Sequence, residues 1–233
     1  MKILIILFLT ANICYADKYL ESGLPSSTRE WFSVDYSTTS KILSLKPRLL
    51  PSSNEAIFKR MVNLENLNYF KNKNNLLKNR MSQYINILKS LPVLLCLYIQ
   101  KYNSGHKVNN EIMDMMIFTL HVQSLGLTLM NEFIPTIKKD DKYETRMKGV
   151  KTFSSSLTTA FVGAEVSLGE RHLYTPQNLS KLLSTMKETL PLFLQVFSIK
   201  YRVELKIKLS NRIEEFSSQK DKVHLNKMIK MLK

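Results

Sequence analysis

The chain has 233 residues, of which 44% are hydrophobic and 23% are charged, so its composition is that of a folded globular protein and excludes a disordered or collagen-like chain. Lys and Arg number 34 against 19 Asp and Glu, which gives a formal net charge of +15. With only six glycines, the chain argues against a glycine-rich nucleotide-binding loop and a many-turned β-sandwich.

Residues 1–16 have the pattern of a secretory signal peptide. A short basic start is followed by an unbroken apolar run from Ile3 to Leu9, and small residues precede the expected cleavage after Ala16. The apolar run is far shorter than the roughly 20 residues that span a bilayer. We therefore expect export to a periplasm or to the outside of the cell. Cleavage would leave Cys96 as the sole cysteine, without a partner for an intramolecular disulfide.

Residues 17–51, which are rich in Ser, Thr and Pro, are predicted to form an irregular arm, and residues 52–233 to form one helical bundle domain. Helix signals begin at Ser52 and Glu55, which have capping-box spacing. Further helices are predicted from about Asn75 to Lys89 with a restart or kink at Pro92, from Asn110 to Ile134, from about Lys142 to Leu168, and from Thr175 to about Thr189. The helix over 110–134 is apolar nearly all round, which is typical of a buried central helix.

Residues 198–210 contain two conflicting patterns. Apolar residues alternate strictly with charged ones from Ile199 to Leu209, which by itself predicts a half-buried strand. A helical stripe through Leu205, Leu209, Ile213 and Phe216 is the alternative, and a strand would have only the short alternation at residues 32–36 as a partner. We predict a helix here and a cationic amphipathic helix over 219–233. The fold class is therefore all-α, a single bundle of about six to seven helices with an irregular N-terminal arm.

Catalytic and metal-binding signals are weak. None of the four histidines shares a metal-ligand spacing with another, and no nucleophile or phosphate-binding motif occurs, so we predict no metal site and no cofactor. Glu165 and His172 are the two residues that acid–base chemistry could use. A buried carboxylate at position 165 must be paired, and we favour a structural polar clamp between Glu165 and Arg171 over catalysis.

The positive charge is the strongest signal for binding, because a large charge excess attracts anionic partners. Export and the lack of aromatic residues interleaved with the basic ones argue against nucleic acid. A lysine-rich surface that is merely solvated would have the same composition. The predicted binding residues are the basic ones of two segments: Lys71, Lys73, Lys78, Arg80, Lys200, Arg202, Lys206 and Lys208.

These features favour an exported, non-enzymatic binding protein that docks a basic surface on an acidic protein partner, for example as an inhibitor or neutraliser. One alternative is a peripheral protein that binds an anionic membrane surface through its C-terminal cationic amphipathic helix. The other is a hydrolase that uses Glu165 and His172.

Overall fold

The computed structural model describes residues 50–232, and within that range the chain forms α-helices and short 3₁₀ turns and no strand. The predicted all-α fold is confirmed. The predicted signal peptide and nearly all of the predicted arm, residues 17–49, lie outside the described residues.

Two short helices are followed by seven longer ones within the described range. The short helices are α1 (Ala56–Met61) and α2 (Asn68–Lys71). The longer helices are α3 (Leu77–Asn103), α4 (Asn109–Phe133), α5 (Tyr143–Ser156), α6 (Thr159–Gly169), α7 (Pro176–Phe193), α8 (Ile199–Asn211) and α9 (Gln219–Met231).

The contacts divide the chain into two compact units, where the sequence predicts one bundle domain over residues 52–233. The first unit ends at Val122 and the second begins at Gln123, so the boundary falls inside α4. Helical periodicity shows which face of a helix is apolar, but it does not show which helices share a core. The division is therefore a property of the long-range contacts.

Helix α4 is the one described stretch with the length and apolarity of a membrane span. The stretch that qualifies is Asn109–Thr136, and most of its apolar window is buried inside the protein. A core helix of a soluble protein has the same length and composition. The burial of α4 agrees with the prediction of a buried helix over 110–134.

In the first unit, α3 is one helix of 27 residues that contains Pro92, where the sequence predicts a restart or kink. The buried residues around the proline, Leu91, Leu94 and Leu95, supply apolar contacts that offset the lost backbone hydrogen bond. Tyr98 of the same helix donates a hydrogen bond of 2.7 Å to the carbonyl of Pro51. This bond attaches the last residues of the predicted arm to α3.

Arg80 is buried, which corrects its prediction as a surface binding residue. Its side chain is 3% exposed, and its guanidinium donates hydrogen bonds to the carbonyls of Phe70 at 3.0 Å and Asn75 at 3.1 Å. These carbonyls lie at the end of α2 and in the turn before α3, where backbone acceptors have no helical partner. Arg80 therefore connects two elements of the first unit.

In the second unit, the helix predicted over 142–168 is broken into α5 and α6 between Ser156 and Thr159. Hydroxyl groups near the break bond to nearby carbonyls, as Ser156 does with Phe153 at 2.7 Å. The buried side chain of Gln123 then accepts a hydrogen bond of 2.9 Å from the amide of Ala160 and donates one of 3.0 Å to the hydroxyl of Thr159. Gln123 thus caps the first turn of α6, a long-range contact that the local pattern does not contain.

The three later helices of this unit begin at hydroxyl N-caps. Thr175, Ser198 and Ser218 each accept a hydrogen bond from the amide three residues further on. Helix α9 packs chiefly on α7, with Leu225, Met228 and Leu232 buried. The apolar face of the C-terminal helix is therefore used within the second unit.

Substituting Arg80 should destabilise the first unit. In Arg80→Gln the side chain is too short to reach both carbonyls, and leaving buried acceptors unsatisfied should lower the free energy of unfolding by about 2 kcal/mol. Urea unfolding followed by circular dichroism measures this. The control is Lys78→Gln, at an exposed position two residues earlier on α3, which should shift the midpoint little. Equal shifts for the two variants would contradict the connecting role of Arg80.

His224 should make the fold less stable in mild acid. Burial, reinforced by the charges of Lys187 and Lys220, holds the pKa of His224 below its ordinary value of 6.5. Below that pH the unfolded chain takes up a proton that the folded chain resists, so stability falls as pH falls through this range. When the pH is lowered from about 7.5 to about 5.5, we expect the melting temperature of His224→Gln to fall less than that of the wild type. The exposed-site variant His172→Gln should behave as the wild type.

Candidate functional site

Helix α8 carries the predicted basic residues of the second unit, and Glu165 of α6 is bound to this helix and its C-terminal end. It settles the conflict over residues 198–210 in favour of a helix. Its first turn carries Tyr201, whose ring packs edge-to-face on Phe197 with centroids 4.7 Å apart. Leu205 and Leu209 on the same side are fully buried. We call this side, with Tyr201, Leu205 and Leu209, the inner face of α8.

The carboxylate of Glu165, on α6, is held by two cations from α8 and its C-terminal end. Glu165 is 2% exposed. The Nζ of Lys208 lies 2.8 Å from its Oε2, and the Nη2 of Arg212 lies 3.8 Å from its Oε1. Lys208 is half exposed, so this pair reaches from the core to the surface. A buried carboxylate that lacked these partners would be strongly destabilising.

Arg212 links Glu165 to a second, more exposed carboxylate. Its Nη1 lies 3.7 Å from Glu215 Oε2, and the same oxygen lies 3.7 Å from the Nε of Arg171. Arg171 also donates a hydrogen bond to the carbonyl of Glu215. The guanidinium of Arg212 occupies the space beside Gly169, where a Cβ would lie 2.8 Å from its Nη2.

Two polar atoms beside Glu165 are buried without a hydrogen-bond partner among the described residues, the hydroxyl of Tyr201 and the Nε of Arg212. Burial, and secondarily the negative charge of Glu165, raises the pKa of Tyr201 well above its usual range. The phenol therefore stays protonated and neutral.

The structure gives Glu165 partners other than the predicted Arg171. Glu165 is buried and paired, as a clamp requires, but its cations come from positions 208 and 212. Arg171 pairs with Glu215, close to the turn that follows α8. A local sequence pattern does not show contacts with cations more than 40 residues away. The sequence therefore suggests Arg171, which is six residues from Glu165.

The geometry does not favour Glu165 and His172 as an acid–base pair. His172 is exposed, and its Nε2 lies 3.9 Å from Glu170. Glu165 is almost completely shielded from solvent and engaged by two cations, so a substrate has no access to its oxygens. Burial also raises the pKa of the Cys96 thiol, which disfavours the thiolate that a nucleophile requires.

The predicted basic residues divide into those that the fold uses and those that lie in solvent. Arg202 donates hydrogen bonds to the carbonyls of Leu194 and Phe197, just after α7, and Lys208 is bound to Glu165. The exposed members are Lys71, Lys73 and Lys78 in the first unit and Lys200 and Lys206 on α8. The Nζ of Lys200 lies 4.0 Å from the Oε1 of Glu204, one turn along the helix.

The outer face of α8 is apolar and exposed, a feature that the sequence reasoning missed. Ile199 is 79% exposed, Val203 53% and Ile207 56%. The signal was present in the alternation: at 100° per residue, alternating apolar residues fall on two opposite sides of a helix. One set forms the inner face, and the other, Ile199, Val203 and Ile207, forms a row in solvent that we call the outer row.

No protein-family model, curated protein or solved structure matches the chain. Among residues 50–232 no group of three His, Cys, Asp or Glu side chains is placed to hold a metal ion. The function is therefore argued from the geometry of α8 and the charges around it.

Removing the carboxylate of Glu165 should destabilise the second unit. In Glu165→Gln the ion pair with Lys208 is lost, although the half-exposed Lys208 can return to water and Arg212 keeps Glu215. We expect a loss of about 2 kcal/mol, below the range for fully buried pairs, and a melting temperature lower by about 5 °C. Thermal unfolding by circular dichroism measures this. Glu144→Gln, at an exposed position on α5, is the control, and an equal fall there would contradict the clamp.

Proposed function

We propose that the protein is an exported, non-enzymatic binding protein that docks the exposed cations of α8 on an acidic protein partner, for example as an inhibitor or neutraliser. The observation that carries the proposal is the position of Lys200 and Lys206. Both lie in solvent, while Arg202 and Lys208 of the same helix are engaged by the fold.

Helix geometry supports a shared binding face. At 100° per residue, Lys200 and Lys206 fall on opposite sides of the outer row, roughly 60° from its centre. Cations at the edge of an exposed face accelerate encounter with an anionic partner and favour it over a cationic one. The formal net charge of +15 adds long-range attraction to the same partners.

Catalysis and membrane binding by the C-terminal helix have less support. Glu165 is buried and paired, so the acid–base role would need a carboxylate that the fold already uses. The apolar side chains that α9 would insert into a membrane, Leu225, Met228 and Leu232, are buried in the second unit. Export is proposed from the pattern of residues 1–16 alone.

Charge reversal on α8 should weaken partner capture. The full chain with a C-terminal tag is used to capture proteins from the extracellular fraction of its host, and compared with Lys200→Glu/Lys206→Glu. We expect a single acidic protein whose affinity falls by about tenfold or more in the variant, since each lost rim charge also becomes repulsive.

The matched control is Lys71→Glu/Lys73→Glu, which changes the net charge equally on exposed lysines of the first unit. It should retain the partner within about twofold at physiological salt, because unspecific attraction is screened over about 8 Å there. Equal loss in the two variants would show that net charge alone is responsible, and capture of no protein would contradict the proposed function.

A further inference from the structure

We propose that the outer row of α8 anchors this interface: Ile199, Val203 and Ile207 enter an apolar groove on the acidic partner protein, and Lys200 and Lys206 pair with carboxylates at its edges. The inference rests on the proposed function and adds to it the surface that binds and the chemistry of the partner.

The outer row has the geometry of a helix that docks in a groove. Its members are four residues apart, so they lie on one side of α8 over about 12 Å of helix axis. Anchors at such intervals, on one face of a helix, are the usual contacts of helix-in-groove recognition. Ile199 is the most exposed of the ten large hydrophobic side chains that the described residues leave open to solvent.

The fold prevents α8 from hiding this row. Rotating the helix to bury Ile199, Val203 and Ile207 would move Lys208 and Arg212 away from Glu165 and leave its carboxylate buried and unpaired. The same rotation would expose Leu205 and Leu209. The row is therefore held in solvent by the ion pairs and apolar contacts of the inner face, and within residues 50–232 no element buries it.

The charges around the row select the partner. Because Lys200 and Lys206 flank the row, a complementary groove has carboxylates along its rim. Glu204, beside Lys200, is complemented by a hydrogen-bond donor in the same rim. A second copy of the chain would bring the same lysines together and carries the same +15 charge, which opposes self-association. A short apolar groove whose rim combines carboxylates with hydrogen-bond donors is a feature of a protein surface.

An anionic membrane fits the row less well. Membrane-surface helices have a broad apolar face, commonly with Trp, Phe or Leu, and α8 offers three β-branched aliphatic side chains. The inner face is occupied by the fold, so the helix cannot turn to widen its apolar side. Glu204, half exposed beside Lys200, would be repelled by anionic head groups.

The first experiment measures affinity without changing charge. In the full chain, Ile199→Gln/Val203→Gln/Ile207→Gln removes the row, and Gln keeps good helix propensity. The control, Val223→Gln/Met231→Gln, removes two exposed apolar side chains of α9. We expect the row variant to lose about tenfold or more in affinity for the partner that charge reversal on α8 releases. The control should stay within about twofold, with both variants folded by circular dichroism.

The second experiment locates the contact. The probe is the photo-crosslinker p-benzoylphenylalanine, placed in the full chain at Val203 or, as control, at Val223. The Val203 chain should crosslink to the captured acidic protein within a peptide that contains both aliphatic and acidic residues, and the Val223 chain should not. Equal yields at the two positions, or a crosslink from Val203 to a second copy of this chain, would overturn the inference.

The remaining outcomes separate the two proposals. A partner lost on charge reversal but retained by the glutamine variant would overturn the outer row as anchor and leave the binding function standing. Absence of any captured protein would overturn both. Co-sedimentation of the chain with phosphatidylcholine–phosphatidylglycerol vesicles, abolished by the glutamine substitutions, would assign the row to a membrane and overturn the protein groove.

Discussion

A buried charge, the carboxylate of Glu165, constrains the packing of the second unit. A carboxylate that is 2% exposed is tolerated only where cations compensate it, and here these are Lys208 and Arg212. Both lie at the C-terminal half and end of α8, so satisfying Glu165 sets the rotation of that helix about its own axis. The inner face is then seated in the core, and Ile199, Val203 and Ile207 point outward as a consequence. Gly169 leaves the space that Arg212 occupies.

The positive charge of the chain has two different uses. Arg80, Arg202 and Arg212 are partly or fully buried and serve backbone carbonyls or carboxylates, because a planar guanidinium with several donors satisfies more than one acceptor at a time. Most of the lysines predicted to bind are exposed, so the fold leaves their charges in solvent. Net charge therefore overstates the number of cations that are open to solvent: of the four predicted binding residues on α8, the fold engages Arg202 and Lys208 and leaves Lys200 and Lys206 in solvent.

Local sequence signals predicted helix starts better than helix continuity. The start of α7 at Pro176 follows from Thr175 and the proline after it, a cap and a first-turn residue that act over one turn. The break between α5 and α6 was not predicted because the side chain that caps α6, Gln123, lies 36 residues before Thr159. Continuation of α3 through Pro92 likewise depends on buried neighbours, whose contacts outweigh one missing hydrogen bond.

The sequence by itself determined that the protein is all-α, that α7 begins at the hydroxyl cap of Thr175, that the chain is strongly basic, and that a buried Glu165 would need a partner. Only the tertiary structure decided which cations meet that carboxylate and that Ile199, Val203 and Ile207, on the other side of α8, are exposed. The reason is geometric: an alternation with period two places apolar residues on both sides of a helix with a period of 3.6. The stripe through Leu205 and Leu209 marks one of these sides for the core, but the local pattern does not show that the other side stays uncovered. The contact of Lys208 with Glu165, 43 residues away in the sequence, is consistent with this orientation of α8 and lies outside any local pattern.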